Sequence, residues 1–298
     1  MKQVITLELA INCYYLVMPE LPEVEVIKNS LNRYLQGQVL EDIKFKRTDI
    51  IGTKENSVPY SDFFGKTVES VSRHGKYILF NFSDDLLLIV HLRMTGKLIY
   101  LPSLKLEAQA ESTGHKHSHA RLIFSSGDLI YNDVRRFGKL YFSRVTDKTN
   151  LYDVLNVGPD ALSEEFSPEY FFTRLQRHPK QPIKNTLLNQ KVVAGIGNIY
   201  ADEALFDASI LPTRAAASLS FEKTSKLHSD IIKILESSIE NGGTTFNDYR
   251  NAENESGTNQ NKLKVYSRTG LPCVNCGQEL ESIRLGGRTT VYCSNCQK

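Results

Sequence analysis

The sequence predicts an α+β fold: an N-terminal antiparallel β-sandwich with a leading helix, then a helical domain, then a C-terminal metal-binding β-hairpin. Three observations predict it. Residues 76–82, 86–92, 121–124 and 129–131 are short β-prone runs, set apart by the turn signals Ser83-Asp84-Asp85 and Ser125-Ser126-Gly127-Asp128. From residue 151 onward the apolar period lengthens to that of helices. Four cysteines crowd the last 26 residues as Cys273-x2-Cys276-x16-Cys293-x2-Cys296.

The leading helix is expected over 22–36. Pro22 and Glu23 suit its first turn, Gly37 suits its end, and Val24, Ile27, Leu31 and Leu35 keep one apolar face. The sandwich should run from residue 39 to about 144. Within it, His115-Lys-His-Ser-His119 has metal-ligand residue types, and an exposed loop is the plainer reading. Helices are expected over 169–176, 183–189, 199–206 and 221–240. The domain boundary should fall within 145–160, where Gly158-Pro159 interrupts any element. Residues 251–261 (NAENESGTNQN) are polar and without period, which predicts a mobile loop. The expected units are 18–150, 151–260 and 261–298, with residues 1–17 apart from all three.

Composition bounds the function. The chain has 298 residues, 41% hydrophobic and 23% charged, which is ordinary for a globular protein of two domains. No apolar run is long enough to span a membrane. Residues 1–17 carry one Lys, the acid Glu8 and no small-residue cleavage site, a poor match to a signal peptide. The chain therefore reads as cytoplasmic. Its net charge of +2 says little, but residues 261–298 hold six Lys or Arg against two Glu, a +4 tail able to face phosphates. The paired CxxC turns point to one structural Zn2+ held by Cys273, Cys276, Cys293 and Cys296. Two disulfides are the competing pairing, disfavoured in a reducing compartment.

Met18-Pro-Glu-Leu-Pro-Glu-Val-Glu25 resembles the N-terminus of the formamidopyrimidine-DNA glycosylases. His91-Leu-Arg-Met-Thr-Gly96, Asp133-Val-Arg-Arg-Phe-Gly138, Gly195-Ile-Gly-Asn-Ile-Tyr-Ala-Asp-Glu203 and the four-cysteine tail are similar to that family in the same order. The resemblance runs from Met18 to Lys298. It implies a base-excision repair enzyme, monomeric, acting on double-stranded DNA with oxidised purines (8-oxoguanine and formamidopyrimidines). It also implies a helix–two-turn–helix in the helical domain and a zinc finger in the hairpin.

The resemblance assigns roles that the chemistry can rationalise. Pro19, once N-terminal, would be the nucleophile. A free α-amino group has a pKa of about 7.7–8 against about 10.4 for Lys, so it is available near neutral pH. Its attack on C1′ would displace the base and leave an iminium, which allows strand cleavage by β,δ-elimination. Glu20 would be the proton donor that helps open the sugar. Glu23 would orient the amine or the sugar, or simply favour the helix start. Lys76 would donate a proton in the β-elimination. Met94, Arg135 and Phe137 would fill the gap left by an extruded base, a task suited to a flexible thioether, a guanidinium and a flat ring. Arg136, Lys184, Asn198 and Arg288 would contact the DNA backbone, Arg288 from the hairpin tip. Asn198 opens a helix behind two glycines, which gives a phosphate access to free N–H groups.

One feature departs from the family. Seventeen residues precede Met18, so Pro19 is internal and its nitrogen is an acylated amide. Either translation starts at Met18 and that methionine is clipped, or the extension is real and must be removed. If it is retained, the expected alternative is a non-catalytic protein that binds DNA lesions. The sibling group, endonuclease VIII, prefers oxidised pyrimidines. The Met94, Arg135 and Phe137 set and a 251–261 loop able to cap a purine argue against it. Removing the zinc should weaken duplex binding and loosen the C-terminal region. Affinity should also fall steeply with salt. Both are read by titrating labelled duplex with and without chelator, and unchanged binding after verified zinc loss would contradict the hairpin's role.

Overall fold

The computed structural model describes residues 18–54, 56–103, 116–144, 154–246 and 249–298. Helix α1 (Leu21–Leu35) leads into strands β1 (Val39–Phe45), β2 (Lys66–His74), β3 (Tyr77–Phe82) and β4 (Leu86–His91). Strands β5 (Gly96–Pro102), β6 (Ser118–Phe124), β7 (Gly127–Asp133) and β8 (Lys139–Arg144) complete the sheet. Helices α2 (Pro168–Gln176), α3 (Ile183–Leu187), α4 (Asn198–Asp207) and α5 (Phe221–Glu240) follow, then the hairpin strands β9 (Glu281–Leu285) and β10 (Arg288–Tyr292). Among the described residues no helix is long and apolar enough to cross a membrane.

The eight strands form one antiparallel sheet in the order β5-β7-β6-β1-β2-β3-β4-β8. Its weak seam lies between β1 and β2, joined by only two residue pairs, Val39 with Thr67 and Leu40 with Lys66. There the sheet divides into two halves around a shared core. Ile43, Leu122 and Tyr131 come from one half; Val71, Phe80 and Phe142 come from the other. β4 is buried along its whole length because Leu155 covers its outer face, packing on Leu79, Leu87 and Ile89. That explains its unbroken apolar run, where a one-sided strand would alternate.

Helix α1 begins one residue earlier than its sequence pattern suggests and ends before Gly37, whose φ of +81° is a left-handed stop. Val24, Ile27, Leu31 and Leu35 enter the sandwich core, whereas Leu21 enters the core of the helical region. One helix thus pins both cores together. α4 is buried on every side from Ile199 to Phe206, while α5 is amphipathic and buries Leu227, Ile231 and Leu235.

Two expectations are corrected. His119 is no loop residue: it lies in β6, buried, with its Nε2 2.8 Å from the Asp133 carbonyl. His115 lies outside the described residues, as do residues 1–17 and Cys13. Residues 251–261 are anchored. Ala252 is fully buried in the sandwich core, and its carbonyl accepts from Tyr100 N at 3.2 Å. Asn251 Oδ1 accepts from Glu253 N at 3.1 Å and Glu255 N at 2.7 Å, so the polar residues that suggested mobility build an Asx turn instead.

Candidate active site

Pro19 and Glu20 lie where the sandwich meets the helical region, and both are buried. Glu20 caps α1 in sequence, but its carboxylate also caps α4. It accepts from Gly197 N at 2.8 Å, Ile199 N at 3.0 Å and Tyr200 N at 3.4 Å. These are free donors of a helix N-terminus, where an anion is favoured. Gly197 is required because a Cβ there would lie 2.2 Å from the Glu20 carboxyl carbon. Leu21 N closes the junction by donating to Gly195 O at 3.1 Å.

Glu23 is one turn below. Its Oε2 accepts from Glu20 N at 2.9 Å; its Oε1 accepts from Tyr200 OH at 2.5 Å and Thr244 N at 2.7 Å. Burial, and then the neighbouring Glu20, push the Glu23 carboxyl up to about 7. Burial raises Glu20 as well, opposed by the Lys76 ammonium and the three backbone N–H groups. Burial lowers Lys76, with Glu20 opposing the shift and Arg288 and Arg93 adding to it. Lys76 donates to Ile196 O at 3.0 Å.

A buried ion-pair network presents Lys76. Gly75 takes φ +56°, and its N–H donates to Asp160 Oδ2 at 2.6 Å. Arg73 holds Asp160 through Nη2 at 3.0 Å and Glu25 through Nε at 2.6 Å. The turn before β3 is therefore tied to the helical region at Asp160, close to Gly158-Pro159.

Of these groups Glu20 and Lys76 line a cavity of about 770 Å³, with Met18, His91, Asn198 and Arg288 also on its walls. His91 lies within a quoted motif, yet the residue pattern alone gave it no role. Its Nδ1 accepts from Arg93 N at 3.0 Å, which leaves the proton on Nε2. Burial, then Arg93 and Lys76, hold its pKa down at about 3, so it is a neutral donor. Asn198 begins α4, and its Nδ2 donates to Thr289 O at 3.0 Å. Arg288 follows the Gly286-Gly287 turn, whose φ values are +58° and +76°, and stands exposed at the hairpin tip.

Met94, Arg135 and Phe137 come together from two loops. Arg135 Nη1 donates to Met94 Sδ at 3.3 Å, and its guanidinium lies 4.5 Å from the Phe137 ring centre. Phe137 is 50% exposed, so it is no core residue. Arg136 pairs with Asp49 at 2.9 Å on the surface.

Lys184 does not face the cavity as a direct phosphate contact must. Its side chain is fully buried, paired with Asp202 at 2.6 Å and donating to Thr290 Oγ1 at 2.7 Å. The reason is β10, which lies across α3 and α4 and covers it: Asp202 Oδ2 also accepts from Val291 N at 3.2 Å.

The four cysteine sulfurs lie within 4.8 Å of one another. The Cys273–Cys296 and Cys276–Cys293 separations are 3.9 and 3.6 Å, far from disulfide bonding, and the thiols are free. Four thiolates about 2.3 Å from a tetrahedral Zn2+ stand roughly 3.8 Å apart, so this donor set fits one zinc ion. Bound there, zinc would fix the hairpin and leave no position open for catalysis.

Three family models match in sequence order: the formamidopyrimidine-DNA glycosylase N-terminal domain at 18–140, its H2TH domain at 157–250, and the zinc finger found in FPG and IleRS at 270–298. The chain belongs to the formamidopyrimidine-DNA glycosylase family. The formamidopyrimidine-DNA glycosylase of Desulforamulus reducens is 41% identical over 283 residues, covering 94% of this chain and 99% of that relative. That of Carboxydothermus hydrogenoformans is 42% identical over 287 residues, covering 94% and 100%. Among solved structures, the MutM (Fpg) protein of Thermus thermophilus is similar at 35% identity with a TM-score of 0.80, covering 94% and 98%. Lactococcus lactis Fpg in complex with abasic-site DNA is similar at 35% identity with a TM-score of 0.82, covering 94% and 99%. The α3–α4 pair of this chain falls inside the match to the family's H2TH domain.

The raised carboxyls set a pH dependence. Glu23, at about 7 against an ordinary 4.5, and Asp202, at about 7 against 3.8, bind protons more readily folded than unfolded. Their contribution to stability is full below the ordinary carboxyl pKa and is lost as pH rises through 7. Urea unfolding should therefore show stability falling between about pH 5 and pH 7, and Glu23→Gln should flatten that decline. An unchanged slope in Glu23→Gln would contradict the assignment.

Proposed function

We propose that this chain is a base-excision repair DNA glycosylase with lyase activity, which removes oxidised purines from duplex DNA through a Schiff base on Pro19. Burial of the Glu20 carboxyl, on the residue that follows Pro19, against the N-terminus of α4 is the observation that carries this reading. Solved relatives lend it support: Lactococcus lactis Fpg with Fapy-dG DNA, and MutM with carbocyclic 8-oxo-G DNA.

In the mechanism the neutral Pro19 amine attacks C1′ of the damaged nucleotide, the bond to the base breaks with its electron pair leaving on the base, and the proton lost by the amine neutralises the departing base. As the C1′–O4′ bond opens, Glu20 gives its proton to O4′, and the nitrogen lone pair completes the iminium. Burial raises its pKa, the direction that a proton donor needs. The iminium acidifies the C2′ proton; loss of that proton expels the 3′ phosphate, and a second elimination expels the 5′ phosphate. Lys76, with its lowered pKa, serves the elimination as proton donor. Glu23 accepts from Glu20 N and thereby orients the acid and the amine before it. Met94, Arg135 and Phe137 fill the gap left by the extruded nucleotide, with Arg135 facing the orphaned cytosine. His91, Asn198 and Arg288 hold the phosphates around the lesion, and Arg136 a flanking one. Lys184 acts from beneath, by fixing β10 and so Arg288. Four thiols reserved for zinc suit the reducing cytoplasm, where this repair would take place.

The nucleophile requires a free N-terminus. In the full chain the Pro19 nitrogen is bonded to the Met18 carbonyl, and amide resonance withdraws its lone pair. The active form therefore begins at Pro19. Borohydride trapping on an 8-oxoguanine:cytosine duplex should yield a covalent adduct mapped to Pro19 with protein beginning there, and none while residues 1–18 remain. In that shorter protein Glu20→Gln should slow base excision roughly 10²–10⁴-fold. Lesion binding without an adduct, from protein confirmed to start at Pro19, would support the non-catalytic reading. Preference for oxidised pyrimidines would overturn the purine assignment.

A further inference from the structure

The wedge residues Met94, Arg135 and Phe137 are exposed or half-exposed and come from two separate loops, so something beneath must set their spacing. The buried residue between those loops is Asp133, which is 0% exposed at the end of β7. Its Oδ1 accepts from the Thr95 hydroxyl and, at 3.1 Å, from Arg135 N. Its Oδ2 accepts from Gly138 N at 2.9 Å and from Tyr131 OH at 3.0 Å. The Thr95 oxygen in turn accepts from Arg135 N at 3.0 Å. Thr95 adjoins Met94; Arg135 and Gly138 bracket the loop that carries Phe137.

An ionised carboxylate is acceptor-only and can take four such donors at once. No ion pair to Asp133 exists among the described residues, so this buried carboxyl group is held by neutral donors alone. Leaving a buried charge without its hydrogen bonds is costly, which makes this arrangement hard to distort. The geometry also explains Gly138, where a Cβ would lie 2.1 Å from the Tyr131 hydroxyl.

We propose that Asp133 is the positioning residue of the wedge, and that through Thr95 it fixes Met94 relative to Arg135 and Phe137. Discrimination of the base opposite the lesion then depends on a carboxylate buried beneath the residues that meet DNA. This rests on the wedge reading given above.

The test uses protein beginning at Pro19 and measures kcat and KM for 8-oxoguanine opposite cytosine and opposite adenine. A duplex with 2-aminopurine beside the orphaned base adds a fluorescence readout of stacking. Thr95→Val removes the bridge between the loops and nearly keeps the volume; it should lower the cytosine-over-adenine ratio at least about fivefold, the worth of one of the two hydrogen bonds it loses. Thr95→Ser should restore the ratio. Asp133→Asn should lower it further, because an amide offers an N–H₂ to two of the four donors. Tyr131→Phe removes a bond to the same carboxylate without touching the bridge; it should lower the unfolding temperature and leave the ratio alone. Arg135→Ala separates the two claims. If Arg135→Ala leaves both the ratio and the fluorescence at wild-type values, the wedge reading fails. If Arg135→Ala shifts them while Thr95→Val keeps the wild-type ratio, the role of Asp133 is overturned even should Asp133→Asn fail to fold.

Discussion

The Glu20 carboxylate belongs to one helix by sequence and to another by contact. It stands at the start of α1, and its oxygens fill the N-terminus of α4, taking donors from Gly197, Ile199 and Tyr200. Those donors are unsatisfied by α4 itself, so some acceptor has to meet them in this buried place. Because Glu20 does so, the sandwich and the helical region are locked at the residue next to Pro19. The pairing of Leu21 N with Gly195 O and the burial of the Leu21 side chain in the helical core complete the lock.

Several costs of the site follow from that junction. Glu20, Glu23, Lys76, Lys184 and Asp202 are all buried within it, and charge in such a place must be paired or neutralised. The two solutions coexist. Lys184 and Asp202 pair with each other beneath β10, a pairing that only partly offsets the burial that raises Asp202, whereas Glu23 is pushed towards its neutral form by burial beside Glu20. Lys76 lies between, lowered by burial while its bond to Ile196 O holds it in place. A reaction that transfers protons near neutral pH needs groups perturbed in these directions, an acid raised as Glu20 is and an ammonium lowered as Lys76 is. The zinc hairpin enters the same logic from outside, since β10 covers the Lys184–Asp202 pair and carries Arg288 to the cavity wall.

What the sequence made legible was what is local in the chain. The two CxxC turns, the turn signals of the strands and the 20-residue amphipathic α5 depend on neighbours a few positions apart, and their spacing reveals them. Contacts over long separations left no such trace. Nothing about Lys184 alone tells that Asp202, one turn into α4, and Thr290 will enclose it; an isolated lysine reads as a surface cation. The Arg73–Asp160 pair that shapes the Gly75 turn spans 87 positions and was equally silent. Composition misled at 251–261, because Asn and Gly favour flexible chain and Asx turns alike, and only the burial of Ala252 distinguishes them. His91 was visible as part of a motif, but its neutral state is set by burial among Arg93 and Lys76, a tertiary property.

The central claim is that the seating of Glu20 on the N-terminus of α4 places the Pro19 amine and its proton donor. Gly197→Ala tests it most directly, since the added methyl would enter the Glu20 side chain, to which its three nearest atoms all belong. The measurement is the single-turnover rate of borohydride trapping on an 8-oxoguanine duplex, for protein beginning at Pro19 with zinc content and unfolding temperature verified. A misplacement of about 1 Å should slow trapping roughly 10²-fold. A folded, zinc-loaded Gly197→Ala protein that traps at the wild-type rate would contradict the account.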